Sequence, residues 1–580
     1  SLSTESVTLD VQADGNTINS PTFTGTTTIS FNHTIAETLT LSLSNTSIDA
    51  SEPLVCNDGS GTSCNITFTE AGFRFISSTT NSTTIPNQTS GSVFSETLKL
   101  QAVKDVDGVC STLFTNSKNI ELSQENVDPG GTSGLNFTVN GAGIAKQGDA
   151  PSSTSTTLTF DTDSIAIIPT PIYHDAGQIR LHANYDVGGV SLSGSSNAFW
   201  VSPEKLVVSA KSGGNSLNGA TASTTITHAA GDSFDLTVTA YNSLDVITPN
   251  YYPEQLQFKL KRTGPTTVAQ NSDGNLIYAG ATASSLTSSL SPVFTNITLT
   301  DFSLGKSTYN AAKYSEVGLL NLELQESNYG DAGIVIPASP IDIGRFIPDH
   351  FDVSITNNSF EDTCTTGTSD FTYIGQPFTY LNAPELLITA KNASGVTTQN
   401  YTETGYQKLT SANVVRTFPI ADTSKDGTVV GTKMVVSAVT SDGNLTTPTS
   451  NPSSNAGAMT YTFDSSDSFT YSKNANSEVE FFTATYDIII NSIQDSDSVN
   501  ASASLAFTVP STNTASPTGV NLRFGRVSLA NSFGPETSPI RQVLSVEHFN
   551  GTDFVIADTD TCTRYTSANI SFGANNDVGI

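Results

Sequence analysis

The sequence predicts an all-β protein of tandem immunoglobulin-like β-sandwich domains, strung into an elongated rod. Three observations carry that expectation: short segments of alternating apolar and polar residues, the near absence of helical periodicity, and a set of motifs that returns about every 140 to 160 residues.

The alternation is plain at Val7, Leu9, Val11 and Ala13, at Leu39, Leu41 and Leu43, and at Phe234, Leu236, Val238 and Ala240. Successive side chains of a strand point to opposite faces, so each segment offers one face to a core and one to water, and the Gly, Asn and Asp between segments supply the turns. The best helical candidate, around Thr308 to Val317, is short and interrupted by Tyr and Ser, so very little helix is expected.

The repeat divides the chain. Ala240-Tyr-Asn242, followed by Thr-Pro-Asn250-Tyr251, matches Ala390-Lys-Asn392, followed by Thr-Gln-Asn400-Tyr401, and each copy has an upstream Gly-x-x-Phe, at Gly231 to Phe234 and Gly375 to Phe378. Pro203-Glu-Lys-Leu206-Val-Val208-Ser209 matches Pro348-Asp-His-Phe351-Asp-Val353-Ser354, and Pro at a strand start reads as the first strand of a domain. Before each Pro stands a third element, Asp175-Ala-Gly177 with Ile179, Leu181 and Ala183, and Glu316-Val-Gly318 with Leu320, Leu322 and Leu324. A fainter copy lies at Leu98, Leu100 and Ala102. The expected units are an N-terminal β segment over 1–61, Ig-like repeats over 62–202, 203–345 and 346–510, and a C-terminal β domain over 511–580. A period this long means whole domains in a string rather than a solenoid.

Composition narrows the class. The chain has 580 residues, 54 acidic against 24 basic, a formal net charge of −30, and only 13% charged residues. Such a field repels phosphate backbones, which excludes nucleic acid as a partner, while it suits solubility outdoors and the capture of calcium. The 30 Phe and 17 Tyr supply apolar mass that disordered chains lack. No segment is apolar for the length of a membrane span, and the start lacks the basic end and apolar run of a signal peptide, so the numbering is expected to begin after processing. The five cysteines (Cys56, Cys64, Cys110, Cys364 and Cys562) have no zinc or redox spacing, and disulfides in an oxidising compartment fit them best. Cys64 with Cys110 is the preferred pair, with Cys56 to Cys64 as its competitor.

Ile343-Gly-Arg345-Phe346-Ile-Pro348-Asp-His-Phe351, Phe371-Thr-Tyr-Ile-Gly375-Gln-Pro377-Phe378, and Leu522-Arg-Phe524-Gly525-Arg526 through Leu529-Ala-Asn531 to Asp560-Thr-Cys562-Thr resemble the large secreted MshQ-type proteins. Those are encoded with the mannose-sensitive haemagglutinin (MSHA) type IV pilus of marine gammaproteobacteria. The resemblance spans roughly residues 50 to 580. It implies an extracytoplasmic protein of pilus biogenesis or presentation, a C-terminal domain of unassigned function, and no catalytic residues. Members of that family continue past the Asp-x-Cys-Thr motif, so the last domain here is expected to be unfinished or completed by another chain.

Candidate sites are few. Asp105 with Asp107, Asp495 with Asp497, and Asp558 with Asp560 pair carboxylates on expected loops and are candidates for calcium, the only cofactor suggested, although an ordinary surface turn accounts for each as well. Trp200, the single tryptophan, stands just before Pro203, where packing at a domain junction with Pro203 and Pro348 outweighs stacking on a sugar. Val7, Leu9, Val11 and Ala13 offer a strand that can pair with a neighbouring subunit, although a first strand of its own domain fits them better. Six scattered histidines, no HExxH and no Gly-x-Ser-x-Gly argue against an enzyme. The expected function is therefore an extracellular structural or adhesive protein of a bacterial surface or MSHA-like pilus, with pilus or surface subunits or copies of itself as partners. A glycan-binding adhesin is the alternative reading, with host or surface glycans as ligands, and a polysaccharide hydrolase is less favoured.

Overall fold

The structure is a computed structural model. It describes residues 82–417 apart from 107–108, 188–189, 220, 267–271, 280–283, 300, 338–339 and 368; then 434–438, 443–447, 456–473, 478–484, 486, 488–501, 514–515 and 519–571; and, before residue 82, only 7–8, 10–13, 16–20, 22–23, 38–44, 64–67 and 71–77. Among the described residues the regular structure is strand, with 3-10 turns at Gln399–Thr402, Ser411–Asn413 and Ser567–Asn569. The candidate helix around Thr308 falls in the strand Lys306–Tyr314, and among the described residues no helix is long and apolar enough to cross a membrane.

Three sandwiches follow one another, each closed on its own apolar core. The first gathers Phe75, Leu100, Ile120, Phe137, Ile179 and Phe199; the second Leu206, Phe234, Phe258, Leu322 and Phe346; the third Phe351, Leu386, Ile388, Phe469, Ile488 and Leu522. The inward residues are the alternating ones, as the Phe234–Tyr241 strand illustrates by burying Phe234, Leu236, Val238 and Ala240.

The same pairing logic recurs in all three. An opening strand lies antiparallel to the next long strand: Ala71–Ser77 with Leu98–Val106, Lys205–Ser212 with Phe234–Tyr241, and His350–Thr356 with Glu385–Lys391. A closing strand lies parallel to a short early one: Phe199–Ser202 with Gln88–Thr89, Ile341–Ile347 with Thr227–Ala229, and Val520–Arg523 with Thr372–Tyr373.

These pairings adjust two boundaries. The closing strand of the third sandwich ends at Arg523, so that domain runs past the expected limit of 510, and Val520, Leu522 and Phe524 belong to its core. At the other end, strand Cys64–Thr67 pairs with Thr38–Ser44, so the N-terminal sheet reaches beyond residue 61. Within that sheet Asp10–Ala13 lies between Asn16–Asn19 and Thr38–Ser44, and Val7–Thr8 pairs with Thr22–Phe23. Val11 and Ala13 therefore sit on a strand paired on both sides within the chain, in keeping with the first-strand alternative for this segment; Leu9 lies outside the described residues.

The fourth unit is a three-stranded antiparallel sheet of Gly525–Leu529, Leu544–Phe549 and Phe554–Ile556.

Candidate functional site at the domain joints

The repeated motifs meet at the joints. Where the first sandwich hands over to the second, the buried Asp175 accepts backbone hydrogen bonds from Ala176 (2.8 Å) and Leu135 (2.7 Å) of its own domain and from Asn250 (3.0 Å) of the next. At the second joint the buried Glu316 accepts from Val317 (2.8 Å), and from Gln399 (3.0 Å) and Asn400 (3.2 Å) of the third domain.

The asparagines of the repeat complete the clasp. The Asn250 amide donates to Ser133 O (3.2 Å) and the Asn400 amide to Ser272 O (3.0 Å) and Val317 O (3.0 Å), so each side chain holds a loop of the preceding domain. Asn242 and Asn392 each fold a turn by accepting two backbone N–H groups at 2.9 to 3.0 Å, and reach back to donate to His174 O (2.9 Å) and Ser315 O (3.0 Å). Backbone bonds from Ser243 to Ser90 (3.0 Å) and from Ala393 to Ala230 (2.9 Å) run alongside. Buried polar groups must be paired, and here their partners lie across the joint, so separating two domains exposes or orphans them together.

The glycine of Asp-Ala-Gly and Glu-Val-Gly has a steric cause. Gly177 and Gly318 adopt φ of +129° and +148°, and a Cβ on them would stand 2.6 Å from Asp128 O and 2.3 Å from Gly264 O.

Burial governs the electrostatics. It pushes the Asp175 carboxyl upward against the pull of its N–H donors and Lys146, and it pushes Glu316 up to about 7 against the same kind of donors and Arg262. Behind the first joint Lys146 ties the carbonyls of Thr132, Ser133 and Gly134 at 2.6 to 3.0 Å.

A second contact of each joint uses the residue three before the boundary proline. Trp200 packs edge-on against Tyr329 of the second domain at 5.3 Å, and a Cβ at Gly330 would touch its indole. The matching Arg345 forms a two-pronged ion pair with Asp497 of the third domain, 2.5 and 2.7 Å, with the arginine side chain 4% exposed. Pro203 and Pro348 are both buried just before an opening strand.

The third joint departs from this plan. Gly375 N bonds Tyr471 O as Gly91 N bonds Tyr173 O and Gly231 N bonds Tyr314 O, which reveals a Gly-x-x-Phe at Gly91 to Phe94 as a further copy and sets Tyr471-Ser-Lys473 in line with Tyr173-His-Asp175 and Tyr314-Ser-Glu316. Lys473 stands where the acid should be; it donates to Gly525 O and lies over the Phe524 ring at 4.7 Å. The third and fourth domains are further held by the Cys364–Cys562 disulfide, by Tyr373 donating to Asp560 (2.9 Å), and by Arg523 donating to Thr559 (2.8 Å). Sequence reasoning left these two cysteines unpaired, because 198 residues separate them; the Gly-x-x-Phe at Gly375 was a signal that could have pointed to the third joint.

Among the described residues, most of the carboxylates considered for calcium have protein partners. Asp495 is spent on Tyr401 (2.7 Å) and the N–H groups of Asp497 and Val499, Asp497 on Arg345, and Asp560 on Tyr373, Thr563 and Cys562. Asp558 is an exposed turn residue. Asp560 lies beside Cys364 and Cys562, but that disulfide leaves no thiolate to ligate a metal. Asp107 and the side chains of Asp105, Cys64 and Cys110 lie outside the described residues.

A serine, a histidine and an acid do meet: Ser195 to His182 Nδ1 at 2.8 Å and His182 Nε2 to Glu125 at 2.9 Å. They are neighbours on adjacent strands of one sheet face, where Ser195 is paired directly with His182 and Arg180 also binds Glu125 (3.3 Å). Acyl transfer needs, besides the trio, an oxyanion-binding pair of donors beside the nucleophile, and a regular ladder position engages its backbone in pairing instead.

Comparison with known proteins agrees with the repeat. Four successive parts match one family of unknown function, DUF6701: its first, Ig-like domain over residues 53–195, its second over 202–301, its third over 316–519 and its fourth over 523–579. The chain belongs to the DUF6701 family. No curated protein matches it. Among solved structures it is similar to the tetra-tandem repeat in the extending region of a large adhesion protein, at 12% identity and a TM-score of 0.28, covering 89% of this chain and 92% of that one. It is also similar to three N-terminal domains of the bacteriophage RB49 highly immunogenic outer capsid protein, at 8% identity and a TM-score of 0.17, covering 78% and 98%. Overlaps this loose carry no argument about function. In this DUF6701 chain the joints, rather than a cleft, are where the repeated residues converge.

Proposed function

We propose that this DUF6701 chain is an extracellular structural and adhesive protein of a bacterial surface, a non-enzymatic stalk associated with an MSHA-like type IV pilus. The observation that carries the reading is the pair of buried carboxylate joints, Asp175 with Asn250 and Glu316 with Asn400. Independent domains on free tethers need no such pairing; a protein that must hold one end away from its anchor does, because the joint resists bending. The disulfide between Cys364 and Cys562 and the charge of −30 fit an oxidising exterior. The MshQ-like motifs supply the link to a pilus, with pilus subunits or further copies of the chain as partners.

The test is made on cells of the source bacterium. The reading expects the protein to be digested by protease added to intact cells and to travel with sheared pili, and deletion to lower adhesion without lowering pilin synthesis. Protection inside the cell, or normal adhesion of the deletion strain, would overturn it.

A further inference from the structure

A groove of about 370 Å³ opens between the first and second domains, within the size range of small-ligand sites, about 300 to 1,000 Å³. Trp200 lines it, held from behind by Tyr329 and Gly330 and through its backbone N–H by Asn87 (3.0 Å), so the indole is fixed in place yet only half-buried. Tyr252 and Leu304 stand on its rim with 57% and 73% of their surface exposed, and Leu304 keeps a φ of +51°, a conformation that a leucine rarely adopts. Asp128 and Glu254 also line the groove, and neither carboxylate takes part in an ion pair or side-chain hydrogen bond among the described residues.

The mixture of groups selects a ligand class. A pyranose has an apolar C–H face that stacks on an aromatic ring and an edge of hydroxyls that both donate and accept; the groove offers the indole, two acceptor carboxylates, and the hydroxyls of Tyr252 and Ser303. A cation would use the rings and carboxylates but leave the hydroxyl donors idle, and an acidic sugar would face two unpaired carboxylates on a chain of charge −30. We propose that this groove binds a neutral sugar ring, a hexopyranose or N-acetylhexosamine, stacked on Trp200. The inference deepens the adhesive half of the proposed function; the stalk half stands separately.

Because Trp200 is the only tryptophan, fluorescence excited beyond the absorption band of the 17 tyrosines reports on this groove. Titration with the methyl glycosides of glucose, galactose, mannose and N-acetylglucosamine, and with tetramethylammonium and methyl galacturonate as controls, should give a saturable change with at least one neutral sugar and none with the controls. Tyr252→Ala and Glu254→Gln, on the groove's exposed side, should each weaken binding by at least about tenfold with an unchanged melting curve. No saturable response to any of the four sugars, unchanged affinity in both variants, or saturation by tetramethylammonium in place of the sugars would overturn the proposal. None of these outcomes bears on the shape of the particle, so failure here is distinguishable from failure of the stalk reading.

Discussion

The joint between the second and third domains should weaken as pH rises through neutrality. Glu316 is the perturbable group: burial lifts its carboxyl from an ordinary 4.5 to about 7. The folded chain therefore holds this proton more firmly than the unfolded one does, so the contribution to stability is complete below about pH 4.5 and is lost as pH climbs through about 7. At about 1.4 kcal/mol per unit, the difference across that window is about 3 kcal/mol. Hydrogen exchange of the full chain reads it locally, since the N–H groups of Gln399 and Asn400 end on this carboxylate. Their protection factors, corrected for intrinsic exchange rates, should fall by about a hundredfold between pH 5 and pH 8. In Glu316→Gln, which cannot ionise, the pH dependence should vanish. Protection that rises with pH would refute the reasoning, because it would mean that the N–H donors and Arg262 outweigh desolvation.

Three further outcomes follow from the joints and from the sheet surface. Replacing Cys364 and Cys562 by Ser removes a crosslink that spans 198 residues, for which the chain-entropy estimate is about 5 kcal/mol, and limited proteolysis should then release the fourth domain before the sandwiches are cut. Arg345→Ala leaves Asp497 only 14% exposed and without its partner, which should cost about 3 to 5 kcal/mol in denaturant melts, whereas the double variant with Asp497→Ala should recover much of that loss. A fluorophosphonate probe should leave Ser195 unlabelled in conditions that label a serine hydrolase fully, because its contact with His182 belongs to a flat ladder.

Much of the fold was legible in the sequence because strands advertise themselves: the alternation at Phe234 to Ala240 maps directly onto a strand with one buried face. The repeat was equally legible, since Asn242, Asn250, Asn392 and Asn400 recur at fixed spacing; what they do was not. A buried asparagine that clasps a neighbour's loop and an asparagine in a surface turn leave the same trace in a sequence. The pairing of Asp175 with Asn250 spans a domain boundary, and no periodicity reports a contact of that kind. Trp200 stands beside Pro203 in the sequence, but the groove it lines depends on Tyr252 and Glu254 from the next domain. The third joint stayed hidden because Lys473 replaces the expected acid, and its partners Gly525 and Phe524 lie beyond the boundary that the repeat suggested. The carboxylates at Asp495 and Asp497 show the same ambiguity, because paired acids on a loop suit an ion pair and a turn as well as a cation.

The central claim is that buried carboxylate and asparagine joints turn independent sandwiches into one stiff stalk. Small-angle scattering tests it most directly, comparing the full chain with a variant carrying Asn250→Ala and Asn400→Ala, both domains of each joint remaining folded by circular dichroism. The account predicts a single extended particle for the native chain and a broader distribution of shapes with a shorter mean length for the variant. Indistinguishable scattering from the two, or a native chain already as flexible as beads on a string, would contradict it.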